Sequence, residues 1–178
     1  YKSTWLNLLR PHVMRHYWFV GKIDTKSKDT MILLSECFMI NLDDQLRTLN
    51  KKDEETVKTL ITLPEVEYRR PYERFMVTHP RRASFCASEN NTDFLTDPTG
   101  NRRFLPFVIE KVDLGAMQKL DIEQLWAQAV HLYREGYRYF FNEQEIQELT
   151  KHNESFQVET EELQYITRYF RPAKPGEE

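Results

Sequence analysis

The sequence predicts an α/β fold built on a parallel sheet, followed by a helical C-terminal region, and three observations carry that prediction. Apolar runs at residues 38–42 and 82–88 stop at polar residues, Asp43-Asp44 after the first and Glu89-Asn90-Asn91 after the second. Central parallel strands whose C-terminal ends open on a site behave in this way. Segments of helical periodicity alternate with these runs, and beyond Asp121 only helical patterns follow.

Taken in order, residues 2–18 carry Trp5, Leu8, Leu9, Val13 and Met14 at helical spacing, with Pro11 interrupting. The start is abrupt, as if the chain were cut into an element. Residues 28–37 form a short helix with Met31, Leu34 and Cys37 on one face. The run at 38–42 is the first strand. Residues 53–63 form a helix with Val57, Leu60 and Ile61 inward and Glu54, Glu55 and Lys58 outward, ended by Pro64. Residues 65–82 are basic and loop-like, with Pro71 and Pro80 as breakers and an extended piece near 74–77. The run at 82–88 is the second strand, Asp97-Pro98-Thr99-Gly100 is a turn, and the apolar run at 104–109 is the third strand. Asp121 caps a helix through Glu135 that Gly136 closes, Asn142 caps another through Leu149, and residues 159–170 make the last.

Composition sets the bounds. The 178 residues suit one domain or a core with an appended piece, divided here into 1–115 and 116–178. With 40 % apolar and 30 % charged residues the chain can bury a core, which excludes wholesale disorder. Cys37 and Cys86 make neither a disulfide framework nor a metal cluster. No apolar run approaches membrane-spanning length and no charged-then-apolar leader opens the chain, so a soluble cytoplasmic protein is expected. The net charge of −3 hides an uneven distribution. Arg69, Arg70, Arg74, Arg81, Arg82, Arg102 and Arg103 cluster in the middle, while seven glutamates concentrate between Glu143 and Glu162. A basic centre of that kind suits anion binding at a defined place.

Four features point to chemistry. Lys2-Ser3-Thr4 before an amphipathic helix is what remains of a phosphate-binding loop cut just before its lysine. In such a loop the lysine reaches the phosphates and the adjacent hydroxyl holds Mg²⁺. Taken alone, it reads as a polar helix start, and only further support makes it more. Asp43-Asp44 ends a buried strand, where acids are costly unless they face water or a cation. One carboxylate on Mg²⁺ and a second polarising the attacking water would explain both. Asn90, at the end of the next strand, is placed to orient water or touch a phosphate. Arg102 and Arg103 follow a Gly-containing turn at an ordered edge, where an arginine can be offered to a phosphate. His79 has no partner histidine and reads as a loop residue.

Three runs then carry a resemblance: residues 68–74 (YRRPYER), 80–90 (PRRASFCASEN) and 94–104 (FLTDPTGNRRF). Together they resemble the virulence-associated protein E family, P-loop ATPases of phages and mobile elements that are similar to superfamily 3 helicases and often fused to primases. The resemblance spans about residues 2–146, and the C-terminal stretch is similar to an extension in Bacteroides-type members. It implies a P-loop NTPase core of AAA+ type, acting as a homo-oligomeric ring with ATP and Mg²⁺ at subunit interfaces and DNA in the channel. Under it, Lys2, Ser3 and Thr4 would be the tail of the phosphate loop, Ser3 and Asp43 the Mg²⁺ ligands and Asp44 the catalytic acid. Asn90 would be the polar sensor and Arg102 or Arg103 the finger. Arg69, Arg70, Arg74, Arg81 and Arg82 would contact DNA or a neighbouring subunit.

Two departures from the pattern matter. The loop glycines and the strand before them lie outside this sequence, so the fragment alone is expected to bind nucleotide poorly and to be inactive. Asp44 stands where the family's second acid is Glu, so its carboxylate reaches about one methylene less far, which would slow or abolish hydrolysis. The alternative is a catalytically degenerate P-loop fold that binds DNA or a primase domain.

Overall fold

The computed structural model describes residues 2–43, 45–46, 51–96, 101–159 and 161–170, without the side chains of 51, 52, 161, 163, 164 and 167. Asp44 and the 97–100 turn, both singled out above, lie outside the described residues. Helix α1 (Lys2–Leu8) leads through a 3₁₀ turn (His12–Tyr17) into β1 (Trp18–Val20). Then come α2 (Lys28–Glu36), β2 (Met39–Asp43), α3 (Lys51–Thr62), β3 (Glu65–Tyr68), β4 (Val77–Pro80) and β5 (Ser84–Ser88). The C-terminal part holds a 3₁₀ turn (Asn101–Arg103), α4 (Leu114–Gln118), α5 (Ile122–Arg134), α6 (Glu143–Asn153), a further turn (Glu154–Phe156) and α7 (Glu161–Tyr169). The fold is mixed α/β with a small parallel sheet.

The parallel sheet has the order β1-β2-β5, and β3 pairs with β4 as a separate antiparallel hairpin. Successive side chains on a strand alternate between faces, which gives β2 two different sides. Ile40 and Leu42 join Leu34 of α2, Val57 and Leu60 of α3, and Val66 and Tyr68 of β3 in one apolar core, with Phe85 and Ala87 of β5 packed against it. Asn41 and Asp43 take the opposite face, in register with Cys86 and Ser88. Burial pushes the Cys86 thiol up to about 11, so it is an inert neutral group there.

Several expectations are corrected. Residues 104–109 are not a strand: Pro106 supplies no ladder N–H, and the segment runs irregularly with Leu105, Phe107 and Val108 exposed. The third strand is β1, where the aromatic and β-branched Trp18-Phe19-Val20 suits a strand and the helical pattern ends at Leu8. Residues 65–68 are not loop but β3, whose Glu-Val-Glu-Tyr alternates exposed and buried; the extended partner is Val77–Pro80, displaced from 74–77.

The C-terminal helices tie back to the sheet. The Trp126 indole N–H of α5 donates to the Leu9 carbonyl at 2.8 Å, and its ring meets Phe38 edge-on at 4.9 Å. Leu95 and Gln157 form a parallel bridge. Asn153, wholly buried at the end of α6, donates through Nδ2 to the carbonyls of Asn101 and Phe104 at 2.8 and 3.1 Å. That amide fixes the turn bearing Arg102 and Arg103. Asn142 and Glu145 close a reciprocal capping box at the start of α6, where Arg138 grips both Glu145 oxygens.

Two predictions follow from these anchors. Asn153→Ala strands two carbonyls and is expected to lower stability by about 2 kcal/mol in urea unfolding; an unchanged midpoint would remove the anchor. The Arg138 hydrogen bond, with the Asn142 N–H, holds the Glu145 carboxyl down at about 2. A depressed folded pKa means the interaction is complete above the unfolded value of about 4.3 and is lost as pH falls through about 2. In an NMR titration Glu145 should therefore stay ionised at pH 3, and in Arg138→Ala its titration should move upward while the Asn142 N–H still holds it below the ordinary carboxylate range.

Candidate functional site

Three elements meet where β2 and β5 end. Their register sets Asp43 opposite Ser88, and α1 crosses the face those two side chains share. The Ser3 hydroxyl donates to Asp43 Oδ1, and Ser88 Oγ donates to the same oxygen at 2.8 Å. The two hydroxyl oxygens stand 3.1 Å apart. Lys2, one residue earlier, turns its ammonium onto the Glu89 backbone carbonyl at 2.5 Å. A half-buried carboxylate is costly without donors, and two hydroxyls supply them here.

Beside the cluster opens a cavity of about 350 Å³, with Lys2, Ser88 and Asn90 on its polar wall and Trp5, Phe94 and Phe107 on its apolar wall. The structure thus brings Lys2, Ser3 and Asp43 together and places Asn90 on the same cavity. Thr4 is exposed and does not line the cavity.

The carboxylate and the hydroxyls are hard oxygen donors next to a lysine, a set that suits a phosphate with a divalent cation. Among the described residues no three His, Cys, Asp or Glu gather as a metal cage. Mg²⁺ does not require one, because it keeps waters and is held by one or two carboxylates plus phosphate oxygens. By donor type, Asp43 and Ser3 fit such a cation.

The arginines lie elsewhere. Arg69, Arg70 and Arg74 are exposed around the tip of the β3–β4 hairpin. The tip also carries Tyr72, fully exposed at a φ of +66°, and Phe75, 74 % exposed. Arg82 is exposed just before β5. Arg81 turns inward: its Nε donates to the Leu63 carbonyl at 2.6 Å and its Nη1 to Ala83, and burial lowers its pKa. It straps α3 to β5. Arg102 is exposed and Arg103 half-buried on their 3₁₀ turn; neither lines the cavity of Lys2, although Arg103 lines an adjoining groove that shares Leu6, Phe94 and Phe107 with it.

Sequence reasoning missed Ser88 and the Glu89 carbonyl. Ser88 was readable, because aligning the ends of two parallel strands sets it against Asp43. A backbone carbonyl carries no residue signal.

No curated protein matches the chain. A family model for the virulence-associated protein E-like domain matches residues 1–158. Every described element before α7 falls inside that match, and the chain belongs to the virulence-associated protein E-like family.

Proposed function

We propose that this domain binds a nucleoside triphosphate with Mg²⁺ at the Lys2–Ser3–Asp43–Ser88 cluster and works on nucleic acid, as the P-loop, helicase-like ATPase part of a phage or mobile-element replication protein. The observation that carries the reading is the shared Asp43 oxygen. A hydroxyl at the start of a helix and a carboxylate at a parallel strand end, 40 residues apart in sequence, meet beside a lysine.

In this reading Lys2 leaves the Glu89 carbonyl for a phosphate, a short swing for a flexible four-carbon stem. Ser3 and Asp43 would hold Mg²⁺, which supplies charge neutralisation to the phosphate oxygens when bound. Asn90 orients water from the cavity wall, and Asp44 is the proposed base. Arg102, being exposed, is better disposed than Arg103 to reach an adjoining protomer of a ring. Nucleic acid meets the hairpin tip, where arginines for phosphates sit beside Tyr72 and Phe75 for stacking. The hairpin stem is anchored by Tyr68, whose hydroxyl lies 3.1 Å from Ser35 Oγ and whose ring stacks on His79 at 4.6 Å.

One observation favours a second reading, a binding module for DNA or a primase domain without turnover. Lys2 and Ser3 are already satisfied by protein atoms, so the cluster closes on itself.

The two readings separate in the full-length protein. For the motor, Asp43→Asn should lower Mg²⁺-dependent ATP turnover at least 100-fold, roughly the effect of losing one transition-state contact. Turnover indifferent to that change rejects the motor, and a wild type that hydrolyses nothing but still binds DNA leaves the module. For nucleic acid, binding to single-stranded DNA followed by anisotropy should weaken steeply with salt. Replacing Arg69, Arg70 and Arg74 together by Ala should reduce the log–log slope by about 2. A salt-independent signal removes the hairpin from the reading.

A further inference from the structure

Helix α7 is held to the molecule at its near end. The Val158 N–H donates to the Leu95 carbonyl at 2.9 Å, beside the Leu95–Gln157 bridge. From Val158 to Phe170 every described side chain is exposed. The apolar ones are not scattered. Tyr165, Ile166, Tyr169 and Phe170 recur at the spacing that makes one stripe on a helix. Glu162 heads that stripe, three residues before Tyr165, and Glu159 precedes it. Nine residues are too few for a helix to be stable in water unaided, so such a face calls for a partner.

The tip of the β3–β4 hairpin is its complement. Arg69, Arg70 and Arg74 gather positive charge there in a chain whose net charge is −3. Tyr72, Phe75 and Met76 stand exposed among them. Tyr72 keeps a φ of +66°, where a tyrosine is strained and a glycine would not be. Strain of that kind marks the outward ring as one retained for contact. Acid meets arginine and ring meets ring across the two surfaces, and one chain carries both of them bare.

We propose that α7 of one copy docks on the arginine hairpin tip of a second copy, its glutamates toward the arginines and its aromatic stripe against Tyr72 and Phe75. Each chain has both surfaces, so two copies related by a two-fold axis make the contact twice. A nine-residue helix is only about 13 Å long, and a single contact of that size is weak. The second contact forms within a pair already joined, which strengthens both. The docked helix covers the residues proposed for nucleic acid, so docking and DNA binding exclude each other. That consequence rests on the nucleic-acid reading of the tip; the contact itself does not. Because α7 lies beyond residues 1–158, its face is not part of the domain shared with the family.

The test uses the 178-residue chain, its mass read by light scattering at low ionic strength. The wild type should form a dimer that added salt weakens. Glu159→Lys with Glu162→Lys, and separately Arg70→Glu with Arg74→Glu, should each lower self-association by about tenfold or more. All four positions are exposed, so both variants should keep the wild-type thermal midpoint. Mixing the two variants should restore a dimer, since the lysine arm then meets the glutamate tip and the native arm meets the native tip. A monomeric wild type overturns the proposal, and so does a mixture that stays monomeric. Tyr165→Ala with Tyr169→Ala adds no positive charge and tests the masking. At a concentration where the wild type is dimeric, it should weaken the dimer and raise affinity for single-stranded DNA roughly fivefold. Lost association with unchanged affinity overturns the masking. If wild type and variants alike bind no DNA, the nucleic-acid reading fails while the masses still decide the contact.

Discussion

The register between β2 and β5 is the constraint on which the remaining geometry depends. It sets Asp43 against Ser88 and, two residues earlier, Asn41 against Cys86. A slip of one residue would turn Asp43 and Asn41 into the apolar core and move Ile40 and Leu42 onto the polar face beneath α1. Burial holds the register, because Ile40 and Leu42 are almost fully enclosed between α2 and α3. At roughly 1.5–3 kcal/mol for each buried side chain, the apolar face fixes where the polar face must be. The polar cluster is thus a by-product of core packing, and α1 has only to place Ser3 over a carboxylate whose position is already set.

Much of this was legible. The strand at 38–42 and its terminal acids, the helices around α2, α3, α5 and α6, and the caps at Asp121 and Asn142 all stand in the sequence as punctuated patterns. What escaped was short or tertiary. β1 has three residues and β3 four, too few to show a period against their surroundings. The run at 104–109 has the apolar content of a strand, but it serves as a wall for the groove beside β5, and Pro106 is the local sign of that. Of the candidate site, the side chains were nameable but the distances were not. Nothing local says that Arg81 straps α3 to β5 while its neighbour Arg82 stays in solvent. That split depends on where the Leu63 and Ala83 carbonyls end up, which only the packed structure defines.

The C-terminal region does more than extend the chain. Asn153 and the Leu95–Gln157 bridge hold the two ends of the segment after β5, one at the arginine turn and the other beside the cavity that Lys2 lines. Glu54 of α3 grips the same segment through the Thr96 N–H at 3.1 Å and pairs with Lys58 at 2.8 Å.

If the cluster binds a cation as proposed, Ser88 accounts for how it would open without losing its carboxylate. As it stands, Asp43 Oδ1 accepts from two hydroxyls, and Ser3 is the donor that a cation would have to redirect, since a hydroxyl facing a cation presents its oxygen and turns its proton away. If Ser3 were the sole donor, that rearrangement would leave the carboxylate unsupported and free to change rotamer. Ser88 comes from β5, not from the helix, so the position of its hydroxyl beside Asp43 is set by the sheet even though it also lies within hydrogen-bond reach of Ser3. On the proposed cation binding, one donor would be exchanged while the other stays with the sheet, so the carboxylate would keep its orientation while its partner changed. A cluster in which both donors came from α1 would lose this separation, because any motion of the helix would release both together.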